Sequence, residues 1–160
     1  MDWKKGFVLA GICAVLALPI ASSSASSREE VRIGSGQNAQ SQEQATRTAV
    51  NSFNEAFNRH DADAVAALLT EDTVFEDTSP VPDGRRVQGK KDVAEYWRNW
   101  FAHNADARFE AEEMIVSGDR ATVLWTYHKV RNGQPWHLRG VDIFTVRDGK
   151  IAAKLAYVKG

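Results

Sequence analysis

Two aspartates stand where apolar side chains set the pattern. Asp142 interrupts an alternating run that has Trp136, Leu138 and Gly140 before it and Phe144 and Val146 after it. Asp77 closes a short alternating segment, 73–77, on the same side as Phe75. An ionised carboxylate in an apolar interior is costly, so Asp142 is expected either to pair or to keep its proton at a raised pKa. A protonated acid donates a hydrogen bond to a ligand oxygen, whereas an ionised one abstracts a proton. Around the two acids, Phe53, Phe75, Trp97, Trp100, Trp125, Tyr127 and Tyr157 are candidates to line a cavity for a flat apolar small molecule. The structural alternative makes these rings core and satisfies Asp142 with a neighbouring hydroxyl.

Other polar groups carry weaker signals. His128 and His137 face each other across a hairpin, but two imidazoles without a third ligand make a solvated or interface pair rather than a metal site. Arg85, Arg86, Lys90 and Lys91 flank Gly89 near the expected cavity mouth, where they either attract an anionic ligand or are simply solvated. His60 and His103 sit at helix ends, where a cation favours the helix dipole. Glu112 enters the cavity only if the first hairpin is regular, and is otherwise exposed. The sequence has no Gly-rich phosphate loop, Ser-centred nucleophile elbow or His-Glu helix motif, and neither a cofactor nor a metal is expected.

The elements that must position these groups are legible as changes of period. Ser41 and Gln44 have capping-box spacing, and Ala45, Ala49, Val50, Phe53, Ala56 and Phe57 then recur at helical intervals up to His60. Asp61 caps a short second helix with Val65, Leu68 and Leu69 on its apolar stripe. Residues 79–89 form a loop by composition, and a third helix runs from Lys90 to about His103. From Ala107 the period becomes two, with Gly118-Asp119, Asn132-Gly133 and Asp148-Gly149 separating four strands. The predicted architecture is α+β: three N-terminal helices packed on a curved, mainly antiparallel sheet, cone-shaped overall.

The turns also set a register. A two-residue turn at Asn132-Gly133 places Val123 opposite Asp142, Trp125 opposite Gly140 and Tyr127 opposite Leu138. A like turn at Asp148-Gly149 places Asp142 opposite Leu155, so that Ile151, Ala153, Leu155 and Tyr157 join the helix-facing side. The other side carries Leu124, Val141 and Ile143 with Thr122, Thr126 and Thr145, too apolar to be left in water. A homodimer through that face is expected, with His128, His137 and Arg139 at its rim.

The chain of 160 residues is 43% hydrophobic and 26% charged, an ordinary profile for one globular domain. Lys+Arg 20 against Asp+Glu 21 leaves no basic excess for nucleic acid or an acidic membrane surface. Residues 1–25 have the layout of a secretory signal peptide, with Lys4 and Lys5, an apolar run over 6–21, then small residues. This predicts export to the periplasm or medium, no membrane association after cleavage, and a mature chain without Cys13. Residues 26–41, rich in Ser, Gly, Gln and Asn, read as a flexible leader, and residues 42–160 as the folded domain.

The run Thr70-Glu71-Asp72-Thr73-Val74-Phe75-Glu76-Asp77, the Gly89 that opens a helix containing Tyr96-Trp97, and the stretch from Asn132-Gly133-Gln134-Pro135 through Asp142 to Asp148-Gly149-Lys150-Ile151 resemble the SnoaL-like and ketosteroid-isomerase-like proteins of the nuclear transport factor 2-like superfamily. The resemblance extends over 42–160. It implies a general-base role for Asp77 and an oxyanion-hole role for Asp142, the latter acid keeping its proton in an apolar site so that it can donate a hydrogen bond. It implies a cofactor-independent isomerase, cyclase or hydratase acting on an apolar carbonyl or polyketide-like compound. The alternative within the same fold is a non-catalytic ligand-binding or dimeric interaction module. This chain departs from the isomerase pattern at Phe53, which stands where the oxyanion tyrosine would be, leaving Tyr127 or Tyr157 to replace its hydroxyl. It departs from the epoxide-hydrolase pattern at Ala156, where an acid is expected.

Overall fold

The computed structural model describes the backbone of residues 23–159 and the side chains of residues 37–159. Contacts divide the chain into the units Met1–Gly34 and Ser35–Gly160. The sheet and every functional residue considered below belong to the second unit. Among the described residues no helix is long and apolar enough to cross a membrane. The expected signal peptide falls, up to residue 22, outside the described residues.

Helix α1 spans Ser23–Asn58, α2 Ala62–Ala67 and α3 Lys90–His103. The start of α1 differs from the one expected at Ser41, so the stretch 26–41 lies within the helix. Ser41 does not cap. Its hydroxyl donates to the Asn38 carbonyl one turn earlier, at 2.9 Å, a contact that continues a helix instead of beginning one. Residues 37–45 bury nothing, and burial begins at Thr46, where the apolar stripe starts. The other two helices begin where the sequence places them, but α2 ends at Ala67, and Leu69, expected on its apolar stripe, opens the strand that follows. Asp61 caps α2 by accepting the Ala64 N–H at 2.9 Å, and α3 begins directly after Gly89.

Six strands form one curved sheet: β1 Leu69–Glu76, β2 Arg86–Gln88, β3 Arg108–Ser117, β4 Arg120–Arg131, β5 Gln134–Arg147 and β6 Lys150–Val158. Their order is β2-β1-β6-β5-β4-β3, and only the β1–β6 pair is parallel. The 79–89 segment, expected as loop throughout, contributes β2 at its end, paired to β1 through Phe75 and Val87. Asn132-Gly133 and Asp148-Gly149 both turn with positive φ at each residue, the twist that matches a two-residue hairpin. The β4–β5 register is the expected one, with Val123 opposite Asp142, Trp125 opposite Gly140 and His128 opposite His137.

The β5–β6 register is not. A bulge between Thr145 and Val146 on the β5 side sets Val146 opposite Ile151 but Thr145 opposite Ala153, so one extra residue of β6 is accommodated there. Asp142 consequently faces Ala156, not Leu155. Beyond the bulge every β6 side chain changes face. Lys154 and Ala156 turn toward the helices, and Leu155 and Tyr157 turn away.

The helix-facing core is aromatic at its centre. Trp97 meets Phe53, Phe57 and Phe75 at ring separations of 5.9, 5.5 and 4.8 Å, and Phe53 also packs edge-on against Phe144 at 5.6 Å. The end of α1 is tied to β3 through Asn58, whose amide donates to the Phe109 carbonyl and accepts the Phe109 N–H, both at 2.8 Å. That pair of bonds imitates a strand neighbour and fixes α1 across the open end of the sheet.

Candidate functional site

Between the helices and the concave side of the sheet lies a cavity of about 250 Å³. This is small for a ligand site. Its wall includes Phe53, Phe75, Trp97, Trp100, Trp125 and Tyr127, together with both Asp77 and Asp142. Tyr157 is the exception among the expected lining residues: it is 52% exposed on the opposite face. The bulge in the β5–β6 pairing is the physical reason. Of the two tyrosines expected to stand in for the hydroxyl absent at Phe53, only Tyr127 reaches the cavity, and burial pushes its phenol up to about 12.

Asp77 follows directly on β1 and is partly buried. Its Oδ1 accepts the Thr78 N–H at 2.7 Å, and its Oδ2 accepts a short hydrogen bond from the Tyr96 hydroxyl on α3. Burial, and next to it the Asp77 carboxylate, hold the Tyr96 phenol far above its ordinary range, so Tyr96 remains a donor throughout the working pH range. The backbone that carries Asp77 requires Gly84. At φ +76 this residue lies against the Asp77 carbonyl so closely that a Cβ would overlap it. Sequence reasoning placed Tyr96 on α3 but did not connect it to Asp77.

Asp142 is wholly buried in the middle of β5. Burial pushes its carboxyl up; the Lys154 ammonium opposes the rise, and the negative charge of Asp77 adds to it. The Trp125 indole N–H lies near enough to oppose it as well, without closing a hydrogen bond. Lys154 is the residue that sequence reasoning missed. Its Nζ lies 2.7 Å from Asp142 Oδ2, with side-chain exposures of 10% and 1% for the two partners. The ammonium sits 5.4 Å from the Phe75 ring centre and 5.6 Å from that of Phe144, a favourable position over two π faces. A signal was available: a buried carboxylate demands a cation, and Lys154 is the cation in the middle of the adjacent strand. Strict alternation, however, turns it outward.

Both members of the pair line the cavity. The carboxylate oxygens of Asp142 have almost no exposure to solvent, and Lys154 keeps part of its side chain exposed. Across the β4–β5 pair, Gly140 makes room for Trp125, since a Cβ there would overlap both the benzo ring of Trp125 and the Tyr157 carbonyl oxygen. Gly140→Ala is expected to lower stability by about 2 kcal/mol, as overpacking does, and to move Trp125 into the cavity. Thermal unfolding and tryptophan fluorescence check both, and an unchanged melting curve would contradict the packing described.

The remaining polar candidates lie elsewhere. A second bulge, between Ala111 and Glu113 in the β3–β4 pairing, keeps Glu112 out of the cavity. Glu112 instead accepts from Arg139 at 2.6 Å and from the Thr126 hydroxyl on the outer face. His128 pairs with Glu110 at 3.1 Å, and its ring lies 6.5 Å from that of His137. Among the described residues no group of three or more His, Cys, Asp or Glu is placed to hold a metal ion. Arg86 and Lys90 are bound to Glu76 and Glu71 respectively.

The cavity lined by α1, α3 and the sheet, with one acid directly after β1 and another buried in β5, lies in a stretch that a known family matches. The SnoaL-like domain aligns with residues 50–154, most of the folded unit. The chain belongs to the SnoaL-like family. A nuclear transport factor 2-like protein of unknown function from Mesorhizobium loti is 36% identical, with a TM-score of 0.65 over 74% of this chain and 94% of that one. A proposed polyketide cyclase from Sinorhizobium meliloti is 28% identical, with a TM-score of 0.57 over 69% and 94%. A proposed ketosteroid isomerase from Kribbella flavida, at 20% identity and a TM-score of 0.60 over 73% and 79%, shares the fold. No functionally curated protein matches the sequence. Within the SnoaL-like domain of this chain, the departure at Phe53 is structural as well as chemical: the ring is 1% exposed and fills the space under Trp97 and Phe144.

Proposed function

We propose that this SnoaL-like protein is a cofactor-independent acid/base enzyme that acts on a small, flat, apolar carbonyl compound, with Asp77 as the base. The observation that carries this reading is the placement of Asp77 and the Lys154–Asp142 pair on the wall of one aromatic cavity. Asp77 takes a proton from the carbon next to the carbonyl. The pair released from that C–H bond moves toward the carbonyl oxygen, where the Lys154 ammonium meets the developing charge. Return of the proton to another carbon gives isomerisation; attack of the enolate on a second carbonyl gives cyclisation. Tyr96 keeps Asp77 in one orientation while it does so. Asp142, paired with Lys154 on the same wall, holds that ammonium in place.

The reading includes export, for which the layout of residues 1–25 argues. It also includes pairing of two copies through the outer face of Leu124, Val141 and Ile143, which are only half-buried in the single chain.

Proton exchange tests the chemistry without knowledge of the natural substrate. Acetophenone incubated with the protein in D₂O is expected to exchange its methyl hydrogens on the order of a hundredfold faster than in buffer, at the low end of what a positioned base contributes. Proton NMR follows the loss of signal. Binding of acetophenone with exchange no faster than buffer would overturn the catalytic reading and leave the ligand-binding module of the same fold.

A further inference from the structure

The departure at Phe53 places a chemical demand on the rest of the wall. A hydrogen next to a carbonyl is only weakly acidic, and a site that removes it must provide for the charge that arrives on oxygen. Phe53 has no hydroxyl, the Asp142 carboxylate is taken up by Lys154, Tyr96 is committed to Asp77 and Lys129 to Asn104. Among the groups that remain on the wall are the Tyr127 hydroxyl and the Lys154 amine. Lys154 is the lysine on the wall that is nine-tenths buried, held over the rings of Phe75 and Phe144, with a proton acceptor 2.7 Å away.

We infer that Lys154 is a covalent catalytic residue, forming an iminium with aldehyde or ketone substrates, with Asp142 as its proton partner. The inference rests on the proposed carbonyl chemistry of the same site but concerns a different atom. A lysine amine is nucleophilic only when it has lost its proton, and a desolvated position beside a group that can take that proton is where lysines become reactive. In a dry wall an ammonium–carboxylate pair loses part of its advantage over the neutral amine–acid pair, because both charges are desolvated. Burial pushes Asp142 upward in the same direction.

The step balances as follows. Asp142 takes one proton from the Lys154 ammonium, and the freed amine pair attacks the carbonyl carbon. A C–N bond forms, and the carbonyl π pair moves to oxygen. That oxygen then leaves as water, carrying two of the three original ammonium protons, one of them by way of Asp142. The third proton stays on the iminium nitrogen, and the restored Asp142 carboxylate balances its charge. The iminium is the electron sink: when Asp77 removes the neighbouring C–H proton, the bonding pair moves to nitrogen and an enamine forms. Reprotonation and addition of water release the product and return the ammonium. No oxidant, reductant or cofactor enters.

Reductive trapping reads the iminium directly. The full-length protein is incubated at neutral pH with benzaldehyde, which has no hydrogen on a saturated carbon next to the carbonyl for Asp77 to remove, and sodium cyanoborohydride, which reduces the iminium but leaves the free aldehyde untouched. The expected result is one benzyl group per chain, mapped by tandem mass spectrometry to Lys154, ahead of the exposed Lys91, Lys150 and Lys159. Lys154→Arg keeps a cation for Asp142 but cannot form an imine, and should lose that label with the circular dichroism spectrum unchanged. Label on the exposed lysines with none on Lys154 would overturn the inference. The outcome is separable from that of the exchange assay. Exchange of acetophenone without label at Lys154 keeps Asp77 as a base and removes the iminium; label at Lys154 without exchange does the reverse.

Discussion

Lys154→Met is expected to destabilise the folded domain by on the order of 3 kcal/mol at neutral pH, because it strands Asp142 in the wall without its cation. For a chain of this size that corresponds to a fall of roughly 10 °C in Tm. The stem of lysine and the side chain of methionine are similar in length and apolarity, so the change isolates the charge. The effect has a definite pH dependence. Burial raises the Asp142 carboxyl above its unfolded value, and with Lys154 gone the largest influence opposing the rise is lost. A group of this kind favours folding fully below its unfolded pKa, and that advantage disappears as pH rises through the folded pKa. The deficit of Lys154→Met should therefore be smallest near pH 4 and grow toward pH 7. Removing both charges, as Asp142→Leu with Lys154→Met, should restore stability to within about 1 kcal/mol of the parent, since apolar replacement of a whole buried pair is often neutral. Denaturant titrations at pH 4 and pH 7 decide the matter. A single variant as stable as the parent at both values would show that the pair is not buried as described.

Asp77→Asn is expected to lower the acetophenone exchange rate by about 10²- to 10⁴-fold, the usual contribution of a positioned general base. The amide keeps its oxygen for the Thr78 N–H and turns its NH2 group to the Tyr96 hydroxyl, which then accepts, so the loop is retained while the proton acceptor is lost. Tyr96→Phe should give a smaller loss, because it leaves the carboxylate in place and removes only its anchor. The two variants thus separate chemistry from positioning. For the tyrosine variant the affinity for acetophenone should hardly change while the rate falls; for the asparagine variant calorimetry should show the ketone still binding. Equal exchange rates in parent and Asp77→Asn would take the base role away from Asp77, whatever Lys154 does.

Much of this molecule follows from short-range chemistry. Asn132-Gly133 accepts positive φ at both positions, so the hairpin pairs Val123 with Asp142 and places that acid among Trp125, Phe144 and Val146. Gly89 ahead of an amphipathic run and Asp61 ahead of Val65 mark the starts of α3 and α2 for equally local reasons, a cap and a periodic stripe. Asp77 on the cavity side follows from alternation with Phe75. The start of α1 was not local in this sense: Ser41 has two options, a cap or a bond back to Asn38, and the capping pattern alone does not choose between them.

The site itself was decided elsewhere. One extra residue in β6, accommodated opposite Thr145 and Val146, turns Lys154 inward and Tyr157 outward, and nothing in the Ile151-Ala152-Ala153-Lys154 spacing announces it. Such a bulge is stable because of what it brings together across strands: a cation for Asp142, and two rings for that cation. Strand periodicity has no term for a charge on the neighbouring strand. The sequence by itself determined the fold family, the hairpin register around Asp142 and the apolar character of the cavity, all carried by neighbours along the chain. Tertiary structure alone decided that Asp142 is paired with a lysine and that Asp77 is held by Tyr96, because both depend on long-range electrostatics that appear only when β1, α3, β5 and β6 are in place.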